Sequence, residues 1–150
     1  MIAVIQRVTE ASVKIEGETA GAIGQGFVVL LGVGKDDNEE DIDWLSGKIA
    51  SLRIFSDEEG KMNLSLKEVD GRVLLISQFT LHASTRKGNR PGYNEAAKPE
   101  VAIPLYEKMI ASLQQKTGTM VETGQFGANM QVSLVNDGPV TIIIDTKNKK

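Results

Sequence analysis

A short segment of the chain, residues 77–82, places a hydroxyl and an imidazole where a buried strand is expected to end. If this segment stays extended, side chains alternate between faces, so Gln78, Thr80 and His82 share one face. A threonine hydroxyl two residues from a histidine resembles a nucleophile with its general base, which is the chemistry of an esterase. No carboxylate lies nearby in the sequence to orient the His82 ring, and a β-branched threonine is also an ordinary strand residue. The segment therefore indicates either a Thr80 nucleophile or a strand end.

A second segment, residues 136–139 (Asn-Asp-Gly-Pro), combines residue types that alter the path of the backbone. Read alone, it is typical of a turn between two strands, at 130–136 and 140–145. The alternative interpretation gives the backbone itself a role. The pair Gly138-Pro139 leaves main-chain carbonyl groups uncovered, and X-Pro is the common peptide bond that is cis at modest cost. Such carbonyls can recognise the shape around the α-carbon of a ligand.

Three cations lie within five residues, at Arg86, Lys87 and Arg90. They predict either a solvated loop or a rim that contacts RNA phosphates beside a site. The net charge of the chain is −3, which argues against a protein that coats nucleic acid non-specifically. Any contact with RNA is therefore expected to be local.

The composition limits the class of protein further. With 150 residues the chain fits one domain, 1–150, and can bury a core without disulfide staples. It has no cysteine, which excludes thiol catalysis and thiolate metal sites, and no cluster of His, Asp and Glu has metal-ligand spacing. We therefore expect no metal and no cofactor. The N-terminal apolar run is too short for a signal peptide, and no apolar run approaches the ~20 residues of a membrane span, so a cytoplasmic protein is expected.

The elements that must position these residues follow from hydrophobic periodicity. Strands are predicted at 1–8, 12–16, 26–33, 73–81, 119–123, 130–136 and 140–145, of which 26–33 is apolar on both faces and therefore central. A first helix is predicted after the capping residues 36–38, and its apolar stripe is Ile42, Leu45, Ile49 and Leu52. Pro99 starts a second helix, with the stripe Val101, Leu105, Met109, Ile110 and Leu113. These elements predict an α+β domain: a curved antiparallel or mixed sheet, or a barrel, with two main helices packed on one side.

Taken together, the two segments resemble the D-aminoacyl-tRNA deacylase family, whose signatures are Ser-Gln-Phe-Thr-Leu and Asn-x-Gly-Pro-x-Thr. Residues 77–81 match the first signature, and Asn136, Gly138, Pro139 and Thr141 match the second. The similarity extends along the whole chain, at 6–8, 31–33, 53–55, 60–63 and 130–134. With both signatures in the expected order and a chain of family length, the sequence is identified as a member of this family.

The resemblance implies a homodimeric editing hydrolase that cleaves the ester joining a D-amino acid to the 3′ end of tRNA. In this family the Gly-Pro bond is cis and reaches from one protomer into the site of the other. Carried over, Gly138 and Pro139 would present their carbonyl oxygens at the substrate α-carbon and α-amino group. An L side chain would collide with this backbone, whereas a D side chain points away from it. Glycine has no side chain to exclude, so glycyl-tRNA is expected to be a substrate as well.

The resemblance also implies roles for the first segment and its surroundings. The 2′-hydroxyl of the terminal adenosine would assist hydrolysis, and the catalytic segment Ser77, Gln78, Phe79 and Thr80 would hold the adenosine and stabilise the oxyanion. His82 lies beyond the family signature, which weakens a Thr80–His82 pair.

Three further residues are candidates for substrate binding. Arg7 would brace the Gly-Pro segment or else be a surface arginine, and Phe126 and Met130 would line the pocket or simply belong to the core. Two alternatives stay open: an esterase with Thr80 as nucleophile, and a non-catalytic tRNA- or RNA-binding module that uses Arg86, Lys87 and Arg90.

Overall fold

The computed structural model describes all residues, 1–150, as eight strands, two α-helices and one 3-10 helix. The strands are β1 (Ile2–Ile15), β2 (Glu18–Ile23), β3 (Gly26–Gly32), β4 (Phe55–Ser56), β5 (Met62–Leu64), β6 (Arg72–Ser77), β7 (Val121–Thr123) and β8 (Gln131–Asp145). The helices are α1 (Glu39–Ser51), α2 (Pro99–Thr117) and the 3-10 helix (Phe79–His82), which lies between β6 and α2.

The main sheet is built on β1. This strand pairs antiparallel with β3 through its N-terminal half, with β2 through its C-terminal half, and with β8 along most of its length. Beyond β3 the order continues through β6 and β7, which both pair in parallel. The free edge of β2 approaches β7, since a Cβ atom on Gly21 would lie 2.9 Å from the carbonyl oxygen of Thr123. The mixed sheet is therefore nearly closed into a barrel.

The long strand β1 replaces two strands that the sequence predicts, at 1–8 and 12–16. Arg7 and Val8 are both buried, and the pairing of β1 with β8 shifts register on either side of Val8. A shift of this kind reverses the face that each following side chain takes. The alternation of apolar residues is interrupted there although the strand continues. Hydrophobic periodicity therefore predicts two short strands in place of one long strand.

Both α-helices pack on one face of this sheet. Side chains of the sheet that point to the helices, such as Ile5, Phe27 and Leu75, are fully buried in one cluster with residues of α1 and α2. A smaller cluster, including Val28 and Leu74, covers the opposite face. β3 therefore has apolar neighbours on both faces, as its sequence predicts. The predicted fold class, an α+β domain with a mixed, barrel-like sheet and two helices on one side, is confirmed.

The helices begin where their capping residues predict. Asn38 and Asp41 form a capping box at the start of α1, and Pro99 is the first residue of α2. The buried stripe of α2 is Ala102, Leu105, Tyr106, Met109 and Leu113. The prediction that Val101 belongs to it is wrong, because Val101 is 44% exposed. Two stripes rotated by one residue both fit helical spacing, and only packing selects between them. No helix is both long and apolar enough to cross a membrane.

A buried ion pair ties the start of β1 to the loop before α1. The amino group of Met1 donates to Asp37 Oδ1 at 2.7 Å and to Thr146 Oγ1 at 2.9 Å. Asp37 Oδ2 accepts from the Gly34 N–H at 2.6 Å. Lys147 Nζ lies 3.8 Å from the same Oδ1 of Asp37. The side chain of Asp37 is only 2% exposed, so its charge depends on these partners rather than on water.

We expect Asp37→Asn to lower the free energy of unfolding by about 3 kcal/mol, because the buried ammonium group loses its counter-charge. Urea denaturation followed by circular dichroism measures the change. Asp36→Asn is the matched control, since Asp36 is exposed and forms no ion pair; its effect should stay within about 0.5 kcal/mol. Equal stability of the two variants would contradict the proposed contribution of the pair.

Candidate functional site

The first signature segment leaves the sheet at Ser77 and turns into the 3-10 helix. The N–H of Gln78 donates to the carbonyl of Leu31 at 2.7 Å, and the N–H of Leu81 closes the turn on the Gln78 carbonyl at 3.2 Å. Gly32, the last residue of β3, makes this turn possible. A Cβ atom there would lie 3.0 Å from the Gln78 oxygen and 3.0 Å from Leu81 Cβ. The prediction of an extended strand through 77–81 is therefore wrong beyond Ser77.

The turn separates the Thr80 hydroxyl from the His82 ring, which an extended strand would place on one face. The Thr80 hydroxyl is hydrogen-bonded to the side-chain amide of Gln78, and His82 Nε2 lies 3.1 Å from the carbonyl oxygen of Gly32. No hydrogen bond joins Thr80 to His82. The geometry gives Thr80 no general base, which removes the structural support for a Thr80–His82 nucleophile pair.

A cavity of about 280 Å³ opens beside this turn, and eleven of its fourteen lining residues are hydrophobic. Five of the residues predicted for the site line it, namely Ser77, Gln78, Phe79, Phe126 and Met130. Phe126 and Met130 come from the segment between β7 and β8, so the cavity lies where that segment faces the end of β6. The sequence separates these two groups by almost fifty residues. The tertiary fold brings them to one mainly apolar space.

Tyr106 lines this cavity as well, although it is not among the residues predicted for the site. Its hydroxyl donates to the carbonyl of Leu75 at 3.1 Å, and burial raises the pKa of Tyr106 to about 12. Its ring lies 5.9 Å from that of Phe126, at an angle of 57°. The hydroxyl is therefore occupied and stays protonated at neutral pH, so the residue offers the cavity an apolar ring. Spacing with Ala102 and Met109 along α2 is the signal that could have found it.

The second signature segment is not a turn, because the chain on both sides of it pairs with the same strand. Thr141 is opposite Gln6 of β1, and Asn136 is opposite Val8. The residues between them, 137–140, form a bulge in the single strand β8. The interpretation of two strands joined by a turn is therefore wrong. Two residues of β1 hold both ends of the segment, so it protrudes without reversing direction.

Within the bulge the Gly138–Pro139 peptide bond is cis, and Gly138 has φ +137°, a value that favours glycine. The side-chain carbonyl of Asn136 accepts from the N–H of Val140 at 2.8 Å, across the base of the bulge. Asp137, Gly138 and Pro139 are all exposed. A hydrogen bond across its base therefore holds the segment, and its backbone is exposed to solvent.

Arg7 is the side chain that supports this bulge from the neighbouring strand. Its Nε donates to the carbonyl of Asp137 at 2.9 Å, and its Nη1 donates to the carbonyl of Ile54 at 2.6 Å. Arg7 is 9% exposed, so it is not a surface arginine. The guanidinium links the residue before Gly138 to the loop that follows α1.

The predicted site residues therefore fall into three groups within one chain, of which the first lines the cavity. Arg7, Gly138 and Pro139 do not line the cavity, although β8 itself borders it through Val132. Arg86, Lys87 and Arg90 form a third set, on an exposed loop, and none of them makes an ion pair. The chain alone does not join the Gly-Pro backbone to the apolar cavity.

Comparison with known proteins agrees with the signatures and the fold. Residues 4–145 match the family model described as D-Tyr-tRNA(Tyr) deacylase. The D-aminoacyl-tRNA deacylase of Cytophaga hutchinsonii is 60% identical over 150 residues, and that of Bacteroides fragilis is 59% identical, each over the full length of both chains. The solved structure of the c-Myc DNA Unwinding Element Binding Protein is 40% identical, with a TM-score of 0.91 over 97% of this chain and 99% of that one. Sequence, fold and relatives together place this chain in the D-aminoacyl-tRNA deacylase family.

Proposed function

We propose that this chain is an editing hydrolase that cleaves the ester of D-aminoacyl-tRNA, releasing the amino acid and tRNA. The observation that carries the proposal is the apolar cavity beside residues 77–79, in a chain that matches the family over residues 4–145. A cavity of about 280 Å³ is small for a ligand site, which suits one end of a larger substrate better than a whole free molecule.

The complete site forms, in this proposal, between two copies of the chain. β8 is an edge strand with Val135 49% and Ile143 64% exposed, and such an edge favours covering by another chain. Val132, at the start of the same strand, borders the cavity. A second copy seated along β8 would bring its own Gly138 and Pro139 to that opening. The separation of the two groups within one chain supports this arrangement.

The Gly138–Pro139 backbone would then act as a chiral filter. A D-residue directs its side chain away from the two carbonyl oxygens, whereas an L-residue drives its side chain into them. Arg7 and Asn136 hold the bulge by hydrogen bonds to its backbone, so the bulge has little freedom to move aside. Discrimination of this kind rejects the wrong substrate and does not depend on extra attraction for the right one.

Catalysis in this proposal relies on the 2′-hydroxyl of the RNA to activate the attacking water by accepting its proton, and on the protein to position the ester. The first hydrogen bond inside the 3-10 helix comes from the Leu81 N–H, so the N–H groups of Phe79 and Thr80 precede the first bonded position. They could serve as donors to the oxyanion that develops at the ester carbonyl. The 2′-hydroxyl of the terminal adenosine would assist, since the Thr80 hydroxyl has no base beside it.

A comparison of three substrates tests the filter. D-alanyl-tRNA and glycyl-tRNA are expected to be hydrolysed, because neither places a side chain against Gly138 and Pro139. L-alanyl-tRNA, which differs from the first only in configuration, is expected to be at least about 100-fold slower, as steric rejection by backbone requires. Release of the labelled amino acid measures each rate. Full resistance of glycyl-tRNA at enzyme levels that clear D-alanyl-tRNA would contradict steric rejection.

A second candidate function is non-catalytic binding of nucleic acid. It is favoured by the unpaired cations Arg86, Lys87 and Arg90, and by a 40% identical relative whose name includes DNA binding. RNA binding without deacylation of any D-aminoacyl-tRNA would support this candidate. A cytoplasmic location stays a prediction.

A further inference from the structure

An exposed aromatic pair stands at the mouth of the cavity. The rings of Phe79 and Tyr93 meet edge to face, with centroids 5.0 Å apart and an angle of 69°. Phe79 is 55% exposed and also lines the cavity, while Tyr93 is 38% exposed. An edge-to-face contact leaves one face of a ring free. The hydroxyl of Tyr93 has no hydrogen-bond partner in the chain.

The backbone around Tyr93 is fixed, although its side chain is exposed. Ser84 and Gly92 exchange two backbone hydrogen bonds, of 2.8 and 2.9 Å, which close the loop 85–91. The N–H of Ala96 donates to the Tyr93 carbonyl at 3.1 Å, and the N–H of Ala97 donates to Val33 at 2.9 Å. Tyr93 is therefore held between a closed loop and an anchor at the end of β3.

The loop that Tyr93 follows carries charge of one sign. Residues 83–94 contain Arg86, Lys87 and Arg90 and no acidic residue, although the whole chain has a net charge of −3. None of the three cations pairs with a carboxylate. Cations beside an exposed aromatic ring match a nucleotide, whose phosphate is an anion and whose base has a flat face. A protein partner would not require this combination.

We propose that Tyr93, braced by Phe79, stacks on the nucleotide immediately 5′ of the aminoacylated adenosine, with loop 85–91 contacting the adjoining phosphates. This inference rests on the proposed function and deepens it. In this proposal the cavity at Phe79 takes the terminal residue of the substrate. Tyr93 contacts Phe79 but does not line the cavity, so it is placed to meet the preceding nucleotide. Tyr93 is a substrate-binding residue whose contribution is to substrate affinity.

The test compares Tyr93→Leu with Tyr93→Phe on three substrates: D-alanyl-tRNA, a D-alanylated trinucleotide with the sequence of the tRNA 3′ end, and D-alanyl-adenosine. For Tyr93→Leu, KM is expected to rise about tenfold on the first two, as loss of one base–aromatic stack predicts. KM on D-alanyl-adenosine should stay unchanged, because that substrate lacks the preceding nucleotide. Tyr93→Phe keeps the ring and should behave as the wild type on all three. Thermal melting verifies that both variants are folded.

Two results would overturn the proposal. An unchanged KM on the trinucleotide would show that Tyr93 does not contact the preceding nucleotide. An equal rise in KM on D-alanyl-adenosine would show that Tyr93 acts only through Phe79 and the cavity.

A binding measurement keeps this test separate from the proposed function. An uncharged trinucleotide with 2-aminopurine at the position before the terminal adenosine is expected to lose fluorescence on binding the wild type and Tyr93→Phe, and much less with Tyr93→Leu. If the wild type hydrolyses no D-aminoacyl substrate, the proposed function fails, while this measurement still decides on stacking. Equal quenching of the fluorescence by all three proteins would refute the proposed stacking.

Discussion

Mixing two inactive variants, Gly138→Ala and Ala128→Trp, is expected to restore about a quarter of the wild-type deacylase activity. Gly138→Ala is expected to displace the Gly-Pro segment within the proposed site, because its Cβ would lie 2.8 Å from Val140 Cγ2 and 3.1 Å from Arg7 Nη2 at a φ of +137°. Ala128→Trp fills the cavity, which Ala128 lines from the loop before β8. Each variant alone should lose at least about 100-fold in activity, since a misplaced site group costs that much.

Restoration is expected because the proposed site is divided between two chains. A mixed dimer pairs the intact cavity of the Gly138→Ala chain with the intact Gly-Pro segment of the Ala128→Trp chain. Random exchange makes about half of the dimers mixed, and one of their two sites is complete, which gives the expected quarter. If each site lay within a single chain, the mixture would stay inactive.

The reciprocal mixture provides the control. A chain carrying both substitutions, mixed with the wild type, should leave about a quarter of the activity when sites are shared and about half when they are not. Subunit exchange is verified by native mass spectrometry, and the folding of each variant by circular dichroism. An inactive first mixture together with half activity in the second would refute the shared site.

Replacing the terminal adenosine of D-aminoacyl-tRNA by 2′-deoxyadenosine is expected to reduce the rate of hydrolysis at least about 100-fold, the usual contribution of a group that moves a proton in the transition state. The structure supports this expectation through Thr80. Its hydroxyl is bonded to Gln78, and the ring of His82 lies against the Gly32 carbonyl. The protein therefore offers no activated hydroxyl of its own at this turn.

Thr80→Ala provides the complementary measurement. Loss of one neutral hydrogen bond of about 1 kcal/mol should slow hydrolysis about fivefold, whereas loss of a nucleophile should abolish it. Thr80→Ser keeps the hydroxyl and is the matched control. Single-turnover rates on the ribose and deoxyribose substrates separate the two mechanisms. Full hydrolysis of the deoxy substrate, with an inactive Thr80→Ala variant, would establish the esterase alternative instead.

Local patterns in the sequence are sufficient to predict most of the helices and strands. Alternation and apolar runs locate β1, β3, β6, β7 and β8 but not β2, β4 and β5. Asn38 and Pro99 mark the starts of the two helices. These signals depend on neighbours within a few residues, so they can be interpreted without knowledge of the fold. The same holds for the two signatures, which identify the family before any geometry is known. Val101 shows the limit, because helical spacing allows two stripes and only the packing of α2 on the sheet chooses one.

The sequence by itself determines which residues are candidates for the site, and the tertiary structure decides what each of them can contact. Residues 77–82 read as a strand, yet they turn because Gly32, more than forty residues earlier, lets the turn pack closely on the end of β3. Residues 136–139 read as a turn, yet they remain in one strand because both flanks pair with β1. In both places a long-range contact overrides the local preference of the backbone. The absence of Gly138 from the lining of the cavity is likewise a property of the fold, and it is the reason for proposing that the complete site lies between two chains.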